Sequence, residues 1–195
     1  MVSAPSGGGK STLIKLLRER RGDVDLSVSH TTRAPRGAER DGVEYRFVDD
    51  TAFDRLVAQG EMAEWAQVYG HRYGTSRAEI QRIRGGGRHV LLDIDVQGGM
   101  SIMRAFPDAV SVFVLPPDLR VLEQRLRGRG TDSPEAVARR LSVAREEVGW
   151  ARHYGHVIVN EVLEAALADL LAVIRAAELR TERMTGAIDA LAAMG

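Results

Sequence analysis

The sequence predicts an α/β fold in three layers, a parallel sheet covered by helices on both faces, with a small α+β lobe inserted into it. Three observations carry the prediction. Short apolar runs at 89–95, 109–115 and 156–160 alternate with stretches whose leucines recur at helical spacing, the pattern of repeated strand–helix units. A glycine-rich turn at 4–12 joins a very short apolar lead to a helix. The segment 33–83 is too short and too polar to be the main core, so it reads as an insertion between core segments 1–32 and 84–183.

Taken in order, 1–3 is a strand stub and Leu13, Ile14, Leu16 and Leu17 mark the first helix. Residues 25–29 alternate like a strand, and 31–42 is a polar loop broken by Pro35, Gly37 and Gly42. Inside the insertion, 43–48 is strand-like, 50–59 a short helix, and 61–73 one or two strands. A helix over 76–84 stops at Gly85-Gly86-Gly87. The run 89–95 is then a buried parallel strand with Asp93 and Asp95 at its carboxyl end. Strand 109–115 ends at Pro116-Pro117, and Leu119, Leu122 and Leu126 mark the next helix. Ser133-Pro134-Glu135 is a helix start, with a capping hydroxyl and proline in the first turn. Strand 156–160 precedes a helix that buries Leu163, Leu167, Leu170, Leu171 and Ile174. The remainder, 184–195, is expected to be a mobile tail, and Trp65 and Trp150 to lie in the core.

Composition narrows the function classes. The 195 residues are 44% hydrophobic, enough for a full core. Lys plus Arg and Asp plus Glu are 27 each, so there is no net positive field for non-specific nucleic-acid binding. Without cysteine there are no disulfides, no thiolate-held zinc and no thiol catalysis. No run approaches the roughly 18 apolar residues of a membrane span, and no leader pattern is present. Neither nucleic acid nor membrane is expected as a partner, and the cytoplasm is the default compartment. The five histidines show no metal spacing.

Ala4-Pro5-Ser6-Gly7-Gly8-Gly9-Lys10-Ser11-Thr12 matches a phosphate-binding loop of the form Gly-x-x-x-x-Gly-Lys-Ser/Thr, except that Ala4 stands at the first glycine. Such a loop wraps backbone N–H groups around phosphates at a helix N-terminus and adds one ammonium and one hydroxyl. Lys10 and Lys15 are the only lysines among 27 basic residues, so a compact ammonium is retained where β and γ phosphates would be bridged. The loop therefore predicts a P-loop NTPase core that binds ATP. The strand before it is short for a central position, and added upstream apolar residues are expected to raise the melting temperature.

Several further segments share one resemblance. Ser27-Val28-Ser29-His30-Thr31-Thr32-Arg33-Ala34-Pro35-Arg36, Gly42-Val43-Glu44-Tyr45, Glu64-Trp65-Ala66, Tyr73-Gly74-Thr75-Ser76, Asp93-Ile94-Asp95-Val96-Gln97-Gly98 and Arg127-Gly128-Arg129-Gly130-Thr131 resemble guanylate kinase in order and spacing. The resemblance implies a core, a GMP-binding lobe at 33–83 and a lid at 125–145, converting ATP and GMP (or dGMP) to ADP and GDP. It implies that Arg33, Arg36, Tyr45 and Tyr73 hold the GMP phosphate, that Ser29, Glu64, Thr75 and Asp93 surround guanine, and that Asn160 lies on the adenine side. Arg125, Arg129 and Arg140 resemble lid and hinge arginines, with Gly128 and Gly130 as hinges.

The chemistry is consistent with this. Guanine presents two adjacent donors that one carboxylate accepts together, whereas adenine offers neither, so Glu64 would read the base. Mg2+ is expected to accompany ATP, held by the Ser11 hydroxyl with Asp93 or Asp95 through water. Two other readings are a catalytically silent phosphopeptide-binding module of the same fold and a kinase for another phosphorylated acceptor. Lys10, Ser11, Arg129 and Arg140 argue against the first, and Glu64 and Ser29 against the second.

Overall fold

The computed structural model describes residues 1–68, 70–128 and 133–194. Its main sheet contains β1 (Val2–Ser3), β2 (Val24–Leu26), β7 (His89–Leu91), β8 (Val112–Leu115) and β9 (His156–Val159). β2 pairs with β7, β1 with β8 and β8 with β9, all in parallel, and a bridge from Val2 to Asp93 joins the two groups. The resulting order is β2-β7-β1-β8-β9. The central strand is only two residues long, yet both are buried and its flanks are bonded. The Met1 ammonium donates to the Val110 carbonyl at 2.7 Å, Val2 N–H to Leu92 at 2.9 Å, and Val112 N–H to Met1 at 3.0 Å.

Helices α1 (Lys10–Arg20) and α7 (Leu163–Glu178) cover one face. Leu13, Ile14 and Leu17 meet Ala166, Leu167 and Leu170 around Val2, Val112 and Val114. Helices α3 (Arg77–Gly85) and α4 (Val96–Ala105) supply Ile80 and Ile102 to the other face, around Ile94, Phe113 and Tyr154. Helices α5 (Leu119–Arg127) and α6 (Pro134–Gly149) share a separate small core of Leu122, Leu126, Val137 and Ala144. Ser133 caps α6 from the position the sequence predicts, accepting from Ala136 N–H.

A second sheet stands apart, in the order β4-β3-β6-β5. It is built from β3 (His30–Thr31), β4 (Arg46–Phe47), β5 (Met62–Val68) and β6 (His71–Ser76), with α2 (Asp50–Ala58) beside them. Asp49 caps α2, and buried Phe53 meets the Trp65 ring edge-on at 6.2 Å.

Several expectations are corrected. The strand over 43–48 shrinks to Arg46–Phe47, because Asp41 and Glu44 side chains accept backbone N–H groups and turn the chain before it. The segment 96–105, read as no element, is α4, started by Asp95, whose carboxylate accepts from Gly98 N–H at 3.0 Å. The segment 184–195, expected as a mobile tail, lies largely in helix α8 (Thr181–Ala192), which has no buried residue of its own. Its residues are mostly good helix formers, so local propensity favours a helix without a packed face. Trp65 and Trp150 are not core residues; they are 45% and 43% exposed. No described helix is long and apolar enough to cross a membrane.

Candidate active site

The loop before α1 owes its path to glycines. Gly7 and Gly9 have φ near +90°, where a side chain is strained, and a Cβ at Gly9 would run into the Asn160 amide. Ala4, the departure from the loop pattern, packs its methyl into the core cluster and leaves the turn intact, with Gly8 N–H bonded to Pro5 O at 2.9 Å. The loop delivers Lys10 to the head of α1, where its ammonium pairs with Asp93 and donates to the Ile94 carbonyl at 3.0 Å. Ser11 and Thr12 follow on the exposed first turn. The helix start and the carboxyl ends of the strands thus converge, the edge where open α/β sheets hold ligands.

Lys10 also lines a cavity of about 170 Å³ shared with Ser29, Tyr45, Glu64, Tyr73, Asp93 and Asp95. Residues from the loop, the second sheet and the strand end are therefore brought to one place. Glu64 enters through an irregularity in β5. A register shift between Met62 and Glu64 turns three successive side chains inward, so that Glu64 is 6% exposed while its neighbour Trp65 is turned out. Thr75, opposite Glu64 on β6, is fully buried, and its hydroxyl lacks a hydrogen bond of good geometry. Gly98, in the first turn of α4, lets the carboxylate approach, since a Cβ there would lie 2.6 Å from Glu64 Oε2. Burial pushes the Glu64 carboxyl up, Thr75 pulls it down and the charge of Asp95 pushes it up again.

Of the two acids at the strand end, Asp95 serves as the cap of α4, and Asp93 faces Lys10 and the cavity. Arg33 is buried. Its guanidinium donates to the Ala34 carbonyl at 2.7 Å and to Glu39 at 2.9 Å, and lies 5.3 Å from the centre of the Tyr45 ring. Tyr45 and Tyr73 meet edge-on at 5.8 Å. Glu39, and more weakly Tyr73, hold Arg33 in its charged form, above the usual arginine value. Arg36 is not gathered with them: its side chain is exposed, and its backbone N–H bonds to Glu39 at 2.8 Å.

On the other side of the loop, Asn160 is buried and donates to the Gly8 carbonyl at 3.1 Å, so it touches the loop itself. Arg125, from α5, donates to the Asn160 carbonyl at 3.3 Å, while its other terminal nitrogen is buried without a partner. That nitrogen lies 3.6 Å from where a Cβ on Gly9 would be, beside the glycine turn of the loop. Arg140 sits half-buried near the middle of α6. Arg129, Gly130 and Thr131 lie outside the described residues.

Sequence reading missed Glu39, Gly98 and Glu147. The spacing Arg33, Arg36, Glu39 was a usable signal for the first, and Gly98 was in a noted motif without a role. Glu147 accepts from Ser6 N–H at a separation of 141 residues, a contact with no local trace. Of three larger cavities, two, of about 560 and 640 Å³, lie toward the amino ends of the strands and against α8, and a third, of about 450 Å³, lies between α4 and α6, lined by Asp95, Arg104 and Glu147. The histidine cluster of His89 with Asp23 and Glu178 is filled by Arg21, which donates to both carboxylates.

Comparison with known proteins agrees with this geometry. The family model described as guanylate kinase matches residues 1–177. A guanylate kinase of Anaeromyxobacter dehalogenans is 55% identical over 182 residues, covering 92% of this chain and 80% of the relative. One from Aromatoleum aromaticum is 51% identical over 180 residues, covering 92% and 88%. The crystal structure of guanylate kinase from Anaplasma phagocytophilum superposes with a TM-score of 0.75 at 34% identity, covering 93% of this chain and 86% of that one.

Proposed function

The chain belongs to the guanylate kinase family and transfers phosphate from ATP to GMP; on that premise we propose how its residues divide the work. The loop from Ala4 to Thr12 grips the triphosphate, with Lys10 and the unpartnered Arg125 nitrogen as its cations. Residues 33–83 form the lobe that takes GMP, and 125–145 the lid. The carrying observation is one cavity lined by Lys10 on one side and Glu64 on the other.

Within that cavity, Glu64 accepts the two donors of guanine, with Ser29 and Thr75 beside it. Arg33, Tyr45 and Tyr73 bind the acceptor phosphate, and Glu39 hands the Arg33 guanidinium over to it. Arg36 joins by swinging its exposed side chain inward. The acceptor phosphate has its second pKa near 6, by analogy with phosphoserine, so it arrives largely ionised and no general base is required. What the transfer needs is alignment and cationic stabilisation of the equatorial oxygens, which Lys10, Arg33, Arg125 and Arg140 supply, with Arg129 as a further candidate.

The donor set beside Lys10 suits Mg2+: the Ser11 hydroxyl and the Asp93 carboxylate are both oxygen ligands, on the first turn of α1 and at the strand end facing it. The ion would neutralise charge on the β and γ oxygens. Asp93 is the better candidate of the two acids, since Asp95 is engaged as a cap. A phosphotransfer assay with ATP, Mg2+ and each nucleoside monophosphate in turn is expected to show turnover with GMP alone. A preference for AMP or UMP would overturn the base-reading role of Glu64.

A further inference from the structure

We infer that Glu147 is a positioning residue for the phosphate loop: from α6 its carboxylate takes the Ser6 amide, tying the lid-bearing helix to the loop that grips ATP. The inference rests on reading residues 4–12 as the ATP loop.

A loop with two glycines at positive φ has little stiffness of its own. Its shape is fixed by what holds it from outside. Gly8 N–H closes a turn on Pro5 O, and Asn160, just past the end of β9, holds the Gly8 carbonyl. A Cβ at Gly7 would lie 3.0 Å from Leu122 and 3.1 Å from Leu126, so α5 lies directly against the loop. The remaining hold is Ser6 N–H to Glu147 Oε2 at 3.3 Å. The grip therefore depends on both helices of the α5–α6 pair.

Glu147 is otherwise a costly residue. It is half-buried near Asp95 and beside a loop meant for polyphosphate, and burial pushes its carboxyl up while the Ser6 amide and Lys10 pull it down. A desolvated carboxylate next to an anion site works against binding unless it has another task. Here the task is to hold one loop amide outward. The amides of Gly7, Gly9, Lys10 and Ser11, which have no acceptor among the described residues, remain for phosphate. The lever is short and stiff: Arg140 and Glu147 are on one helix, about 10 Å apart along its axis. A shift of α6 that brings Arg140 toward the phosphates is transmitted to the loop.

The test compares Glu147→Gln, Glu147→Asp and Glu147→Ala. Glutamine keeps an acceptor oxygen at the same reach and removes the charge, aspartate keeps the charge and loses the reach, and alanine loses both. Glu147→Asp and Glu147→Ala are expected to raise KM for ATP about tenfold, the ratio of one lost charge-assisted hydrogen bond. KM for GMP is expected to stay within about twofold, and Glu147→Gln to keep KM for ATP at or below that of the parent. Unchanged KM for ATP in Glu147→Asp, or Glu147→Gln as impaired as Glu147→Asp, overturns the inference, and this pair suffices if Glu147→Ala does not fold. Calorimetric ATP affinity, measured without GMP, is expected to follow the same order. Calorimetry reads the loop independently of the acceptor, so failure of the parent chain to phosphorylate GMP would count against the functional reading alone.

Discussion

A desolvated carboxylate such as Glu64 carries a cost that a pair of ligand donors would offset. Its folded pKa is raised, so its ionised form is disfavoured, and the destabilisation it causes grows as pH rises from the ordinary carboxylate value through the raised one. In the proposed role of Glu64, guanine would reverse the balance, because its two donors call for the ionised form. KM for GMP is therefore expected to rise as pH falls through the raised pKa of Glu64. In Glu64→Gln that part of the pH profile should be flat and kcat/KM for GMP about 10- to 100-fold lower, with ATP affinity spared. An unchanged GMP profile in the variant would remove Glu64 from the base-reading role. Gly98→Ala is expected to raise KM for GMP as well, since the new methyl would meet the carboxylate at 2.6 Å. That Glu64, Tyr45 and Tyr73 gather at one cavity could be anticipated from the sequence because their types suit one ligand chemistry. That Glu64 rather than Trp65 points inward was not, because the register shift in β5 depends on pairing with β6.

At the scale of elements, the alternation of apolar runs and leucine-spaced helices was enough to locate the strands of the main sheet along the chain but not their order in it, which comes from pairing, and Ser133-Pro134 marked the start of α6. Helix α4 was hidden by Gly98-Gly99, a pair that local propensity counts against a helix. Tertiary contact explains the pair: a Cβ at Gly98 would meet Glu64 and one at Gly99 the Tyr154 hydroxyl. The start of α4 also separates the roles of two neighbouring acids. Asp95→Ala removes the cap and is expected to cost about 1 kcal/mol of stability, whereas Asp95→Asn keeps an acceptor oxygen and should leave both stability and kcat near the parent. Asp93→Asn strips Lys10 of its ion-pair partner and should lower kcat at least tenfold with little change in melting temperature. Equal losses in Asp93→Asn and Asp95→Asn would mean that Asp95 serves the phosphates as well as the helix.

Across the whole molecule, reactive groups gather at the carboxyl ends of the strands, while a charged latch closes toward their amino ends. There Arg21, just past α1, donates to Asp23 at 2.6 and 2.7 Å and to Glu178 of α7 at 2.5 Å, with His89 of β7 at 3.1 Å from Glu178. Arg21 holds both carboxyls below their usual range. Acids with depressed folded values contribute stability that is present above their unfolded pKa, near 4, and lost as pH falls through the folded one. Asp23 is about half exposed, so solvent screening keeps the contribution modest. Arg21→Ala is expected to cost about 1 kcal/mol at neutral pH, roughly 2–4 °C in melting temperature for a domain of this size. It should also flatten the loss of stability as pH falls below the ordinary carboxylate range, near 4, and added salt should shrink the difference from the parent. Because the latch lies away from Lys10 and Glu64, kcat and both KM values should not change. A melting temperature equal to the parent at low salt would mean that apolar packing between α1 and α7 holds this end without the latch.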